Sequence, residues 1–156
     1  MKTLILYATK YGATAEIAKR IADNIEDSVL HDLKHGDIPA LTDFDCIIVG
    51  SSIYAVMIRK EAKVFLSQNA DALMAKKYGL FLSGMSPGDE KVLFSTAFRP
   101  EVLQCATAVS LLGGVFDPKK VNFIERAIMK AVSKSSEYSS TIDDAKIKEF
   151  TGRMKA

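Results

Sequence analysis

Leu4-Ile5-Leu6-Tyr7, followed by Ala8-Thr9-Lys10-Tyr11-Gly12-Ala13-Thr14, is the stretch from which the rest of the chain is read. The apolar run suits a buried strand, and the polar residues after it suit a tight loop. Ala15, Ile17, Ala18, Ile21 and Ala22 then recur at helical spacing. A strand, a hydroxyl- and glycine-bearing loop and a helix start, in that order, aim backbone N–H groups and hydroxyls at the positive end of a helix dipole. Such a loop can cradle a phosphate.

Outward from this stretch the same alternation repeats. Ser28 to Leu33 reads as a short strand of mixed polarity, and Asp37 to Asp43 as a connector holding Pro39 and at most one helical turn. Cys46-Ile47-Ile48-Val49-Gly50 is a β-branched run suited to a central strand buried on both faces, ending in Ser51-Ser52-Ile53-Tyr54. Ile58 to Ala75 has helical spacing, with Ala62, Phe65, Leu66 and Leu73 on its apolar side. Tyr78 to Leu82 is a strand opening into Ser83-Gly84-Met85-Ser86-Pro87-Gly88. Phe94 to Ala106 reads as a helix interrupted near Pro100, and Thr107 to Phe116 as a strand that runs through Gly113-Gly114. Lys119 to Lys134 reads as a helix, Ser135 to Thr141 as a polar loop, and Asp143 to Met154 as a closing helix. Strands alternating with helices imply βαβ crossovers and a parallel sheet covered on both faces. A doubly wound sheet of five strands puts its ligand crevice at the strands' carboxyl ends, between the first and third. All three hydroxyl- and glycine-rich loops fall on that side.

At 156 residues the chain is the size of one domain, spanning 1–156, and its 48% hydrophobic and 26% charged content is ordinary for a globular protein. The formal charge of +2 gives no reason to expect nucleic-acid binding. Met1-Lys2 leads straight into a strand, and no apolar run approaches the roughly 18 residues that span a bilayer, so a cytoplasmic protein is expected. Cys46 and Cys105 show no metal-ligand spacing and are expected to be buried free thiols.

The first loop lacks GxGxxG and GxxxxGK[ST], which excludes a dinucleotide fingerprint and a triphosphate P-loop. Its hydroxyls and amides suit a terminal monophosphate; the plainer alternative is a loop that only caps its helix. Beside it, Ser51–Tyr54 and Ser83–Gly88 offer an aromatic ring and glycine-rich backbone, a setting that can sandwich a flat heterocycle. Tyr54 is the expected stacking residue, or otherwise a half-buried tyrosine of the rim.

Thr9-Lys10-Tyr11-Gly12-Ala13-Thr14 after an N-terminal strand resembles the FMN phosphate loop of the flavodoxin family, and Gly50-Ser51-Ser52-Ile53-Tyr54 resembles its second flavin loop. Met1-Lys2-Thr3-Leu4-Ile5-Leu6, Ser52-Ile53 and Glu125-Arg126-Ala127-Ile128-Met129-Lys130 are similar to the flavodoxin-like, menaquinone-dependent protoporphyrinogen oxidases within it. The resemblance implies a flavodoxin-like α/β fold: a doubly wound five-stranded parallel sheet in order 2-1-3-4-5, with helices on both faces. It implies FMN as cofactor. Thr9, Lys10, Tyr11, Gly12, Ala13 and Thr14 would hold the phosphate, Ser51, Ser52, Ile53 and Tyr54 would line one flavin face and the ribityl chain, and Ser83, Gly84 and Met85 would border the other side. The flavin would do the redox chemistry.

Several features depart from the electron-carrying members. Those are usually acidic, whereas this chain is slightly basic, and the Ser83–Asp89 loop lacks the tyrosine that often stacks on the outer flavin face. Ala55 and Val56 follow Tyr54 where a glycine would ease a peptide flip. The insertion that the protoporphyrinogen oxidases carry after the fourth strand is short here.

At about 100° per residue, Lys119, Arg126, Lys130 and Lys134 share one side of their helix, and Val121, Ile124, Ile128 and Val132 the other. The positive side suits anionic lipid near a quinone pool or an acidic partner; the plainer alternative is a solvated face over a core-packed stripe. His31 and His35 read as surface residues and Asp89-Glu90-Lys91 as a solvated loop, with no hydrolytic triad or carboxylate pair. Three functions follow as expectations. The first is an FMN-dependent oxidoreductase of the protoporphyrinogen-oxidase-like branch, with a quinone or other small molecule as substrate. The second is an FMN electron carrier between partner proteins, and the third a non-redox binding module. A phosphoacceptor receiver is disfavoured, because Val49-Gly50-Ser51 offers no aspartate at the end of the third strand.

Overall fold

The computed structural model describes residues 1–85, 88–133 and 137–156, without the side chains of 128, 129, 132 and 133. The expectations for Ser86, Pro87, Ile128, Val132, Lys134 and the start of the Ser135 loop lie outside the described residues. In chain order the elements begin with β1 (Thr3–Ala8), α1 (Ala13–Asp23), β2 (Ser28–Asp32), a 3-10 turn (Leu41–Asp43), β3 (Cys46–Tyr54) and β4 (Met57–Ile58). Next come α2 (Lys60–Met74), β5 (Lys77–Ser83), α3 (Glu90–Ala97), α4 (Pro100–Cys105) and β6 (Ala108–Leu111). The chain closes with β7 (Val115–Phe116), α5 (Phe123–Ser133), β8 (Ser139–Ser140) and α6 (Asp144–Lys155).

The main sheet runs β2-β1-β3-β5-β6 and every neighbouring pair on that path is parallel. Counted by the five long strands alone, this is the expected order 2-1-3-4-5. The period-two alternation of the strands sorts their side chains onto two faces. Leu4, Leu6, Ile47, Val49, Leu80 and Leu82 pack with Ala62, Phe65 and Leu73 of α2 and with Phe94 and Val102 of α3 and α4. On the opposite face Ile5, Cys46, Ile48 and Phe81 pack with Ile17, Ala18 and Ile21 of α1 and Ile147, Phe150 and Met154 of α6. Each of these large side chains contributes about 1.5–3 kcal/mol when removed from water. Tyr78, fully buried in the first cluster, donates its phenol to the Val102 carbonyl at 2.5 Å, and burial pushes its pKa up to about 12.

Several sequence expectations are corrected. The helix expected from Ile58 starts at Lys60, because Met57–Ile58 instead turns back on β3 as an antiparallel hairpin, with Tyr54 opposite Met57. Asp89-Glu90-Lys91 is no solvated loop: Asp89 caps α3 by accepting from the Lys91 amide, and the Glu90 carboxylate accepts from the Leu111 amide and Lys146 Nζ. Pro100 does divide the following segment, as the first residue of α4, where a missing N–H costs nothing. The strand expected over Thr107–Phe116 breaks at Gly113, whose φ of 91° no regular strand holds. Val115–Phe116 then pairs with Ser139–Ser140 in a separate ribbon, so part of the expected polar loop is strand. Cys46 is buried, but Cys105 at the end of α4 is exposed. The helix expected from Lys119 begins at Phe123.

The β3–β4 hairpin holds its two central residues, Ala55 and Val56, at φ of 48° and 59°. Positive φ at both positions is the signature of a two-residue type I′ turn, where Asn-Gly is usual. A β-branched residue there stores strain of order 1–3 kcal/mol. Val56→Gly is expected to stabilise the protein by about 1 kcal/mol, after allowing for glycine's extra backbone entropy. A lower urea midpoint in that variant would contradict the strain.

Candidate functional site

At the carboxyl edge of the sheet the chain leaves β1 and β3 in opposite directions, and the cleft opens there. Thr9 tightens the β1–α1 turn: its Oγ1 accepts from the Gly12 amide at 2.9 Å. Gly12 takes a φ of 99° at the N-cap of α1, and no side chain caps that helix, so its first-turn amides face the cleft's end for a ligand or water to meet. Thr14, the second residue of α1, is fully buried, and its Oγ1 lies 2.6 Å from Ser83 Oγ at the end of β5. That contact ties the first loop to the third.

Counted together with the open solvent at its mouth, the cleft takes in about 770 Å3 of space. Thr9, Lys10, Tyr11, Ala13 and Thr14 form one end, Ser52, Ile53 and Tyr54 one wall, and Ser83, Gly84 and Met85 the other. Eleven of the thirteen candidate residues therefore meet in one place. The other two stand just behind it. Gly12 shapes the turn, and Ser51 is buried with its hydroxyl spent on the chain, accepting from the Arg59 amide and donating to the Ser52 carbonyl, both at 2.9 Å. Tyr54, at 56% exposure, is a rim residue with Lys10 Nζ 5.6 Å from its ring centre.

Five lining residues were not singled out from the sequence as part of a site: Gly114, Val115, Phe116, Val121 and Glu125. Gly114 presses so closely on Gly84 that a Cβ would sit 2.8 Å from the Gly84 carbonyl carbon. Gly84 in turn donates to the Gly113 carbonyl at 2.9 Å, so two backbones make this wall. A glycine pair just past the last sheet strand, on the same edge as the other loops, was the available signal.

Glu125 is the more consequential addition. It reaches back from α5 into the cleft, 9% exposed, and accepts from both Lys10 Nζ and Tyr11 Oη. Burial pushes its carboxyl pKa up, but the hydrogen bonds from Lys10 and Tyr11 outweigh this and hold it below the usual carboxylate range. The same contact raises the Lys10 pKa. The pair is thus ionised at neutral pH and is lost only as pH falls through that lowered value. Lys120 supplies a second cation, for a Cβ on Gly12 would stand 3.8 Å from its Nζ. In the sequence Glu125 figures only as the first residue of the Glu125–Lys130 stretch that carries the family resemblance. Since a carboxylate on Lys10 opposes any anion placed at the loop, Glu125→Gln is expected to tighten phosphate-bearing ligands by about 1 kcal/mol, roughly fivefold. Weaker binding in that variant would show that Glu125 serves the ligand by holding Lys10 in place.

His31 is half-buried on β2 and His35 is exposed, 3.8 Å from Asp32. Among the described residues no group of His, Cys, Asp or Glu could hold a metal ion, and no helix is long and apolar enough to cross a membrane.

Fold and cleft together define a doubly wound α/β protein with a ligand crevice at its topological switch point. The chain belongs to the flavodoxin family: residues 4–143 match the family model for a flavodoxin domain. Among solved structures it is similar to a flavodoxin of Streptococcus pneumonia TIGR4, at 19% identity and a TM-score of 0.65, covering 99% of this chain and 98% of that one. A short-chain flavodoxin associated with a non-canonical PDU bacterial microcompartment is similar at 17% identity and a TM-score of 0.59, covering 99% and 97%. A flavoprotein of Lactobacillus acidophilus NCFM, solved in complex with FMN, aligns at 19% identity and a TM-score of 0.54 over 72% of this chain and 92% of that one. The comparison with curated protein sequences finds no match.

Proposed function

We propose that this protein is an FMN-binding redox protein, working as an oxidoreductase on a small apolar or quinone-type substrate. The observation that carries the proposal is the meeting of three loops in one cleft, with an anion-holding turn at one end and apolar walls along its length. Thr9 to Thr14, with Lys120, receive the phosphate; Ser52, Ile53 and Tyr54 flank one side of the ring, with Ser51 holding that wall in place from behind. Ser83, Gly84 and Met85 flank the other. When bound, the flavin supplies the electron transfer, and the chain orients it and shields it from water. Free thiols at Cys46 and Cys105 fit a reducing compartment, and we place the protein in the cytoplasm.

The apolar wall made by Ile53, Met85, Val115 and Phe116 and the nearby cations favour substrate oxidation, in the manner of the protoporphyrinogen-oxidase-like branch. A second reading, a carrier between partner proteins, is supported by the full-length likeness to two flavodoxins. Stepwise dithionite reduction of the FMN-loaded protein separates them. Reduction in one two-electron step supports the oxidoreductase, and two resolved one-electron steps support the carrier.

Thr14→Ala removes a buried hydroxyl from the phosphate end and leaves Ser83 without its 2.6 Å partner. FMN binding is expected to weaken by about 1–3 kcal/mol, fivefold to more than a hundredfold. Unchanged affinity would remove Thr14 from the phosphate contacts.

A further inference from the structure

The segment 117–138 is an excursion: the chain leaves β7, makes α5, and returns as β8 to pair with the strand it left. None of its described residues belongs to either core cluster. The expectation of a core-packed apolar stripe on this helix is therefore corrected at Ile124, which is 69% exposed, with Phe123 beside it at 83%. They are the two most exposed large apolar side chains described in the protein. Lys119, Arg126 and Lys130 of the same stretch are also exposed, while Lys120 reaches toward Gly12 at the cleft.

Between Asp117 and Lys130 the two acids do not offset those cations outwardly, and the exposed Glu137 lies beyond α5, outside the patch. Glu125 is turned inward onto Lys10 and Tyr11, and the Asp117 carboxylate accepts from the Lys119 amide. The excursion thus presents exposed cations together with two large exposed apolar side chains within twelve residues of one another. A purely acidic chain would answer the charge but leave Phe123 and Ile124 without a counterpart. A bilayer of anionic lipid answers both, with headgroups for the cations and hydrocarbon just beneath for the apolar pair.

We infer that the turn before α5 and its first two turns form a docking surface for anionic lipid, holding the protein peripherally with the cleft mouth close by. The inference stands on this surface alone and is independent of what fills the cleft. The test is co-sedimentation of the full chain with vesicles of phosphatidylcholine alone or mixed with phosphatidylglycerol. Affinity is expected to be at least tenfold higher for the mixed vesicles and to fall as salt is raised. The doubly substituted Phe123→Asn/Ile124→Asn protein is expected to lose about tenfold of that affinity while keeping its circular dichroism and FMN binding, and Lys119→Gln/Lys130→Gln to lose a similar amount. Equal binding to the two vesicle types, or none, overturns the inference. So does a dimer in analytical ultracentrifugation that the Phe123→Asn/Ile124→Asn protein no longer forms, which assigns the face to a second copy. Tight binding of soluble polyglutamate that survives the same substitutions assigns it to an acidic protein and overturns it equally.

Discussion

Gly113→Ala is expected to destabilise the protein by about 3 kcal/mol or more, the largest effect of any single methyl considered. Two costs coincide at this residue. Its φ of 91° is one that L side chains rarely adopt, and an added Cβ would lie 1.9 Å from the Thr141 carbonyl oxygen. Thr141 cannot easily retreat, because its amide donates to the Gly114 carbonyl at 2.8 Å and its hydroxyl accepts from the Gly114 amide at 3.1 Å. Moving it would pull on the wall that Gly113 and Gly114 share with Gly84, so surviving folded protein should also bind ligand more weakly. Gly36→Ala is the control: its φ is 72° but nothing lies within 4 Å of the new methyl. It should cost only the backbone term, about 1 kcal/mol. Urea unfolding of both variants measures the difference, and equal losses would contradict the packing part.

Gly50→Ala is the second large effect, at about 2–3 kcal/mol. Positions 46, 48 and 50 share the face of β3 that looks toward α1 and α6, and Phe81 is Gly50's register partner on β5. With no side chain at 50 the Phe81 ring folds over the gap, so a Cβ there would meet its ring carbons at 2.0–2.5 Å. The ring is fully buried and packed edge-on against Phe150, 6.3 Å between centres at 74°, so moving it would disturb this contact. A smaller partner should relieve the clash: Gly50→Ala is expected to cost less on a Phe81→Leu background than in the parent protein. Strict additivity of the two substitutions would show that the ring is not what excludes the methyl.

The three central strands were legible because burial on both faces writes itself as apolar runs, as at Leu4 to Tyr7 and Cys46 to Val49. Helices α1 and α2 were legible from one apolar stripe each. What local pattern could not show was where backbone geometry overrides it. Ile58 begins a helical spacing, yet its pairing with the end of β3 wins, even at the cost of positive φ at Ala55 and Val56. Asp89 and Glu90 look like solvated charges until one is seen capping α3 and the other reaching the Leu111 amide across the fold.

The cleft was legible for the same topological reason as the sheet. Loops that follow parallel strands must gather on one edge, so Thr9–Thr14, Ser52–Tyr54 and Ser83–Met85 had to meet. Glu125 was hidden because its contact with Lys10 spans more than a hundred residues and runs against the helical stripe of α5. That stripe placed Ile124 in the core on spacing alone, whereas the side chain turned inward is the neighbouring acid. Its two hydrogen bonds in the cleft replace the apolar contacts that periodicity leads one to expect.

The most direct measurement is the visible spectrum of the purified protein titrated with FMN. Saturable binding at micromolar protein or below, with shifted flavin bands and quenched flavin fluorescence, is the expected result, and Thr14→Ala should move its midpoint to higher FMN. Unchanged free-flavin bands at micromolar protein would contradict the assignment of this cleft to FMN.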